Sequence, residues 1–447
     1  MPDSRPRMRT ILLIEDDAEN RRLTSSLLDS RDWKVLEAED GQAGIELALK
    51  HRPDVILCDL LMPRSNGFQV CRAIRQQLQP TKIIMISGRD YEADRASARE
   101  AGADEYLLKP ITWALLQSAI ERVLPADRQP IAPGNDSREV SSSPASLKFW
   151  GVRGSIPVPG PTTVGYGGNT SCVEVRADGE IIILDSGSGI RSLGISLERE
   201  FGQQPIRLTI LITHTHWDHI QGFPFFLPAY NEKNVIRVLG YEGALAGLSS
   251  ILAGQMETPF FPVHLHDLSS NIAIEEIKEM EFNIRKVRVC AKFVNHPGIC
   301  VGYRLYTSSG SIAYLPDNEP YELLKLHSRA HISAEEARAF ATAERAKLVE
   351  FLDGCEVVVL DTQFTDEEYP QHLGWGHGSL STVVSLALAA RAQRLFLFHH
   401  DPEHDDRMID DMVARARAQV ATSGKSLLVE AAREGAEIRL GAAKAAS

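Results

Sequence analysis

Three histidines and an aspartate, His214, His216, Asp218 and His219, fall within six residues of the stretch 211-LITHTHWDHIQGF-223. Imidazoles and carboxylates are ligands for divalent metals. Their spacing is not that of a helical metal face, where ligands recur three or four residues apart. A loop following a strand can instead turn His214 and His216 toward one metal and Asp218 and His219 toward a neighbour. Four ligands are too few for two metals, so other segments must contribute. His296 follows the strand-like VRVCAKFV, Asp317 ends IAYLPD, and His399 ends RLFLFH. The seven divide into His214, His216 and His296 on one metal and Asp218, His219 and His399 on the other, with Asp317 able to bridge. Each metal keeps a position for a shared water. A metal pair ionises such a water near neutral pH and clamps an in-line displacement at phosphorus. Ligands of this kind without thiolate suit zinc, with manganese, iron or nickel as alternatives.

A second reactive set lies in the first 124 residues, at the ends of five strand-like runs, RTILLIE, WKVLEAE, PDVILCDL, KIIMIS and DEYLLKP. The first run ends in Glu15-Asp16-Asp17, the third in Asp59, the fourth in Ser87 and the fifth in Lys109. Helical patterns such as ENRRLTSSLLDS and AGIELALKH alternate with the runs, which predicts a doubly wound five-stranded parallel sheet. The carboxyl ends of its strands converge on one pocket. Carboxylates there suit Mg²⁺. With Mg²⁺ bound, Asp59 can act as a nucleophile toward a phosphoryl group, and Lys109 and Ser87 can hold its oxygens.

The elements that position these groups form two domains. The segment 125–146 is rich in Pro, Ser and Asp, lacks apolar periodicity, and is expected to be a flexible linker between a domain over 1–124 and a second over 147–447. The second combines Gly-rich turns, strands and strand-loop-helix alternation, which predicts an α/β sandwich with helices on its outer faces. Of 14 histidines only His51 precedes residue 200, so the metal chemistry belongs to the second domain. The net charge of −12 argues against wrapping extended nucleic acid. Six dispersed cysteines without a CxxC pair point to buried, reduced thiols. No stretch has the roughly 20 apolar residues of a membrane helix, and the N-terminus has no signal-type apolar region, so the expected location is the cytoplasm, away from membranes.

The motifs LLIEDD, DLLMPRSNGF, ISG and AGADEYLLKP, over residues 9–124, resemble the receiver domain of two-component response regulators. The resemblance implies a flavodoxin-like fold, Asp59 as phosphoacceptor, and Mg²⁺ held by Glu15, Asp16, Asp59 and the Leu61 carbonyl. It also implies Ser87, Tyr106 and Lys109 as the switch, and a sensor histidine kinase as partner.

HTHWDH resembles the HxHxDH signature of metallo-β-lactamase fold hydrolases, and residues 147–445 are compatible with that αββα sandwich. The choice of His296 and Asp317 as ligands rests on this likeness. So does the choice of His399 over adjacent His400, which strand alternation turns to the opposite face. The segments 375-WGHGSLSTVVSLALAA-390 and 398-FHHDP-402 resemble the branch that includes tRNase Z and cyclic-nucleotide phosphodiesterases. There His377 matches a histidine assisting proton transfer, and Asp218 belongs to the catalytic signature. Without a long basic Gly/Pro-rich insert, and with an acidic chain, the implied substrate is a small phosphodiester such as a cyclic nucleotide. His216 stands where oxygen-reducing diiron relatives carry glutamate, which argues against redox chemistry. Both families commonly dimerise, so a homodimer is one implied assembly.

Two other functions fit the same motifs: hydrolysis of a thioester or lactone on this fold, and a non-catalytic metal-binding adaptor. Asp185, after IIILD, is expected to orient the metal loop from behind. His264 and His266 are expected at the surface, and His372 and His404 in solvated loops. The aromatic stretches 223-FPFFLPAY-230 and 259-PFFPV-263 suit a base-stacking wall, core, or a dimer surface.

Overall fold

The computed structural model describes residues 9–28, 33–78, 81–89, 91–111, 113–123, 145–241, 247–258, 260–321 and 333–441. The segment 125–146, expected as a linker, lies outside the described residues apart from its last two. The chain divides into two compact units, residues 1–136 with 325–340, and residues 137–324 with 341–447.

The first unit is a five-stranded parallel sheet of β1 (Arg9–Ile14), β2 (Trp33–Ala38), β3 (Val55–Asp59), β4 (Lys82–Ser87) and β5 (Glu105–Leu108), in the order β2-β1-β3-β4-β5. The interior strands are continuous apolar runs because both faces are covered: Ile11 to Ile14 and Val55 to Cys58 are all buried. Strand order reverses at β1, which opens a crevice beyond the carboxyl ends of β1 and β3. The helix Gly67–Gln77 starts at a reciprocal cap between Asn66 and Gln69. A Cβ at Gly67 would lie 2.5 Å from the Asp59 carbonyl oxygen, so glycine is what allows the helix to start so close to the end of β3.

The second unit contains two seven-stranded sheets. One is formed by β6 (Ser146–Gly151), β7 (Cys172–Ala177), β8 (Glu180–Leu184), β9 (Arg207–Ile212), β10 (Val235–Gly240), β11 (Asn271–Glu276) and the late β19 (Glu437–Arg439). The other runs β12 (Glu281–Ile284), β13 (Val287–Phe293), β14 (Val301–Tyr306), β15 (Ser311–Leu315), β16 (Val357–Asp361), β17 (Arg394–Phe398) and β18 (Leu428–Ala431) in sequence order. Strands β8, β9 and β10 are parallel, as are β15 to β18. Two bonds join the sheets beside the end of β9: Tyr303 Oη donates to the Ile212 carbonyl at 2.7 Å, and the Val301 amide to that of Thr213 at 3.0 Å. Helix Ile190–Phe201 covers the first sheet, and helices Leu380–Ala389 and Asp406–Ser423 cover the second, each through an apolar face.

The first aromatic stretch divides. Phe223 and Phe226 are fully buried in the core under helix Ile190–Phe201, whereas Phe225, Leu227 and Tyr230 are exposed. In the second, Phe260 is 81% exposed. Truncating Phe223 to alanine should therefore cost ~3–5 kcal/mol in a urea-unfolding measurement. Phe260→Ala should stay within ~0.5 kcal/mol of wild type. Equal effects would contradict this division.

Candidate metal centre and phosphoacceptor pocket

The strand ends of both sheets meet at one cluster. Beyond β8, Asp185 is fully buried at a positive φ of 60°, a conformation that aspartate tolerates better than most residues. Its carboxylate accepts the Thr213 amide at 2.7 Å, the Thr213 hydroxyl at 2.9 Å, His219 Nδ1 at 2.8 Å and the Tyr314 hydroxyl at 3.0 Å. This fixes the start of the candidate metal loop. After it the chain forms one helical turn, Trp217–Ile220, which is too short to leave a periodic signal in the sequence and which carries Asp218 and His219. The Ser155 amide holds Asp218 Oδ2 at 2.7 Å.

All seven residues singled out in the sequence come together. His296 Nε2 is 3.0 Å from His216 Nδ1, and His214, His216 and His296 form one ligand-sized group. Asp218, His219 and His399 form another, in which Asp218 Oδ2 lies 3.2 Å from His399 Nε2 and 3.3 Å from His219 Nε2. Asp317 faces both groups, with Oδ2 at 3.1 Å from His219 Nε2 and Oδ1 at 3.9 Å from His296 Nε2. Burial, then the neighbouring imidazoles His219 and His216, hold His214 well below its ordinary pKa and so neutral, as a ligand must be.

The donor set fits two divalent cations. His214 Nε2 is buried without a hydrogen-bond partner, and the Nε2 atoms of His219 and His399 face each other at 3.3 Å. Three of the rings are locked through Nδ1, which turns Nε2 inward: His219 by Asp185, His296 by the Gly376 carbonyl at 2.8 Å, and His399 by Gln363 Oε1 at 2.9 Å.

His377 sits at the edge of this cluster. Its Nδ1 is 3.1 Å from Asp361 Oδ2 and 3.4 Å from Asp317 Oδ1. Although burial works against the charged ring, the Asp361 carboxylate raises its pKa to about 9. The backbone around His377 is held by buried Glu319, which accepts the amides of Gly374 at 2.7 Å and Gly376 at 2.9 Å and the Tyr369 hydroxyl. Gly376 has a φ of 91°, and a Cβ there would come within 2.4 Å of His296 Nδ1. Asp361, Gln363 and Glu319 escaped the sequence reading. Asp361 ends the apolar run VVVLD, so the strand-end criterion that found Asp185 could have found it.

Other histidines fall outside the cluster. His400 bonds the Ala432 carbonyl at 2.9 Å and meets the Tyr166 ring edge-on at 5.8 Å. His264 and His266 stack on each other, and His266 is exposed. His404, expected in a solvated loop, is buried with Nε2 3.0 Å from Glu368, a partner 36 residues away that local sequence could not signal. His372 is half-buried and stacks on Phe364 at 4.2 Å between ring centres.

In the first unit, Lys109 Nζ lies 2.7 Å from Glu15 Oε2 and 3.1 Å from Asp59 Oδ2, which brings the ends of β1, β3 and β5 together. Glu15 Oε1 is buried with no hydrogen-bond partner, an open acceptor that suits a hard cation. Asp16 and Leu61 belong to the loops leaving β1 and β3. Ser87 Oγ accepts the Arg89 amide at 3.1 Å, and the Tyr106 hydroxyl donates to the Arg89 carbonyl at 3.0 Å, with the Tyr106 ring buried.

Residues 11–121 match the response regulator receiver domain family, and residues 182–400 match the beta-lactamase superfamily domain. The chain thus carries a response regulator receiver domain followed by a domain of metallo-β-lactamase fold. It is 40% identical over 102 residues to the transcriptional regulatory protein ResD of Bacillus subtilis, covering 23% of this chain and 42% of that protein. The chain spans about half the length of the curated relatives it matches. Among solved structures it is similar to the metallo-beta-lactamase fold protein YhfI of Bacillus subtilis, with 15% identity and a TM-score of 0.45, covering 66% of this chain and 99% of that one. It is also similar to the short form of human tRNase Z, with 17% identity and a TM-score of 0.44 over 66% and 99% of the two chains.

The receiver pocket carries a pH signature. Burial, then the Asp59 carboxylate, raises Glu15 from 4.5 to about 8 and Asp16 from 3.8 to about 6. Folded carboxyls with raised pKa keep protons that the unfolded chain has lost, so folding loses stability as pH rises from near 4.5 toward 8. Without Mg²⁺, the receiver's thermal midpoint should fall by ~5 °C or more between pH 5 and pH 8. Mg²⁺ should reverse most of that fall, and Glu15→Gln should flatten the profile. A midpoint independent of both pH and Mg²⁺, read by calorimetry of the full chain, would contradict the assignment of this pocket.

Proposed function

We propose that this chain is a response regulator whose output is a dinuclear metal-dependent phosphodiesterase for small phosphodiesters such as cyclic nucleotides, controlled by phosphorylation of Asp59 by a sensor histidine kinase. The observation that carries the reading is the convergence of seven donors, three of them rings locked through Nδ1, with His377 held beside them by Asp361. His214, His216 and His296 would hold one cation, Asp218, His219 and His399 the other, and Asp317 would bridge. Cations bound there supply an ionised water and offset the charge of the phosphoryl oxygens.

The protein's own groups do the rest. Asp185, Gln363 and the Gly376 carbonyl fix three imidazole rings, so these donors are oriented before substrate arrives. Asp361 engages His377 Nδ1, which leaves Nε2 to deliver a proton to the departing oxygen. Buried Asp361 then stabilises the ring in both protonation states of the cycle. The acidic balance of the chain favours a small substrate over a long nucleic acid.

In the receiver, Glu15, Asp16, Asp59 and the Leu61 carbonyl would hold Mg²⁺. Lys109 already sits where it would pair with a phosphoryl group on Asp59. Ser87 and Tyr106 both bond to Arg89 at the end of β4, so a rearrangement at Ser87 reaches Tyr106 through one residue.

A panel of cyclic nucleotides and generic phosphodiesters, assayed with and without a small phosphodonor such as acetyl phosphate, tests the proposal. Asp218→Ala should lower turnover at least ~100-fold, and Asp59→Asn should remove the response to the donor. Equal rates for wild type and Asp218→Ala would sink the reading, and turnover of thioesters or lactones alone would replace it. His377→Ala should slow esters of poor leaving groups by ~100-fold or more, with a smaller effect on p-nitrophenyl esters, whose leaving group needs no proton.

A further inference from the structure

Three tryptophans belong to the second unit, and they are treated differently. Trp150 is half-covered, with Nε1 bonded to Glu174 at 2.8 Å and Lys148 Nζ over its ring at 4.1 Å. Trp217 and Trp375 are 72% and 59% exposed. Trp217 opens the helical turn that carries Asp218 and His219, and Trp375 lies two residues before His377. Trp217 lies between His216 and Asp218 in the chain, and Trp375 precedes Gly376, whose carbonyl holds His296. His296 in turn is 3.0 Å from His216, so the two segments meet at one group of candidate ligands.

Trp375 is braced. Its indole meets the His372 ring edge-on at 4.8 Å, His372 stacks on Phe364 at 4.2 Å, and Phe364 lies edge-on to His377 at 6.1 Å. A row of aromatic rings therefore leads from an exposed indole to the candidate general acid. A large ring left in water beside a charged centre, and braced there as Trp375 is, offers a flat apolar face to a ligand whose polar end occupies that centre.

We propose that Trp217 and Trp375 form a stacking subsite for the nucleobase of the substrate, which narrows the substrate class from small phosphodiesters to nucleoside phosphodiesters. The inference rests on the phosphodiesterase reading above. Stacking requires only the π-face common to every base, so the subsite accepts purines and pyrimidines alike. It sets KM and specificity, while the metal ligands and His377 carry the reaction.

The test compares two esters with the same scissile bond and leaving group, thymidine 5′-(p-nitrophenyl phosphate) and methyl p-nitrophenyl phosphate. The metal-loaded full chain should favour the thymidine ester in kcat/KM by roughly 5- to 100-fold. Trp375→Ala, Trp217→Ala and their combination should reduce that ratio stepwise toward unity, with Trp375→Phe retaining most of it. Both indoles are largely exposed, so neither truncation opens a core cavity. A second readout is quenching of tryptophan fluorescence by thymidine 5′-monophosphate, which should weaken in each alanine variant.

Turnover of both esters with the same ratio in wild type and variants would overturn the subsite and leave the phosphodiesterase reading intact. Altered self-association of the variants with an unchanged ratio would overturn it too, in favour of a protein contact. No turnover of either ester, with nucleotide quenching still lost in the variants, would overturn the phosphodiesterase reading and retain the subsite.

Discussion

The second unit depends on one buried carboxylate. Asp185 accepts four hydrogen bonds, from two groups of Thr213, from His219 and from Tyr314, and none of these partners is near it in sequence. It joins the end of β8 to the start of the metal loop in the same sheet and to β15 in the other. Burying a carboxylate is costly unless its lone pairs are satisfied, so the site is tightly specified once formed. A positive φ at Asp185, and another at His399, shows that backbone comfort yields to ligand placement at both ends of the cluster.

From that anchor the rest of the centre follows by the geometry of parallel strands. The ends of β8, β9, β15, β16 and β17 supply Asp185, His214, Asp317, Asp361 and His399. Candidate ligands separated by up to 185 residues in the chain thereby share one small volume, from His214 to His399. Imidazoles and carboxylates are packed together in it, an arrangement that gains most from divalent cations. The receiver uses the same principle on a smaller scale, with carboxylates at two strand ends and the Lys109 ammonium at a third.

Much of this was legible in the sequence, for identifiable reasons. Alternating apolar runs and helical patterns gave the five-stranded sheet, and HTHWDH announced itself because four ligands lie within six residues. That His296, Asp317 and His399 would come together with that loop could be expected only with the help of family likeness, since each is a single polar residue after an apolar run. Gln363, Glu319 and Gly376 were not legible, because their roles arise from loops apposed by tertiary packing. The same holds for His404, which a distant glutamate buries, and for the exposure of Trp217 and Trp375, which no periodicity encodes. The stretch 223-FPFFLPAY-230 mixes core and surface because its two short 3₁₀ turns rotate successive rings to different sides.

If Asp185 positions a dinuclear metal centre, metal affinity must depend on its carboxylate. Elemental analysis and chelator competition on the full chain, for wild type beside Asp185→Asn, measure this directly. Two transition-metal ions per wild-type chain, counted apart from any Mg²⁺ in the receiver, with affinity ~10- to 100-fold weaker in the variant, are predicted. A wild-type chain that takes up no metal, or a variant that retains it as tightly, would contradict the account.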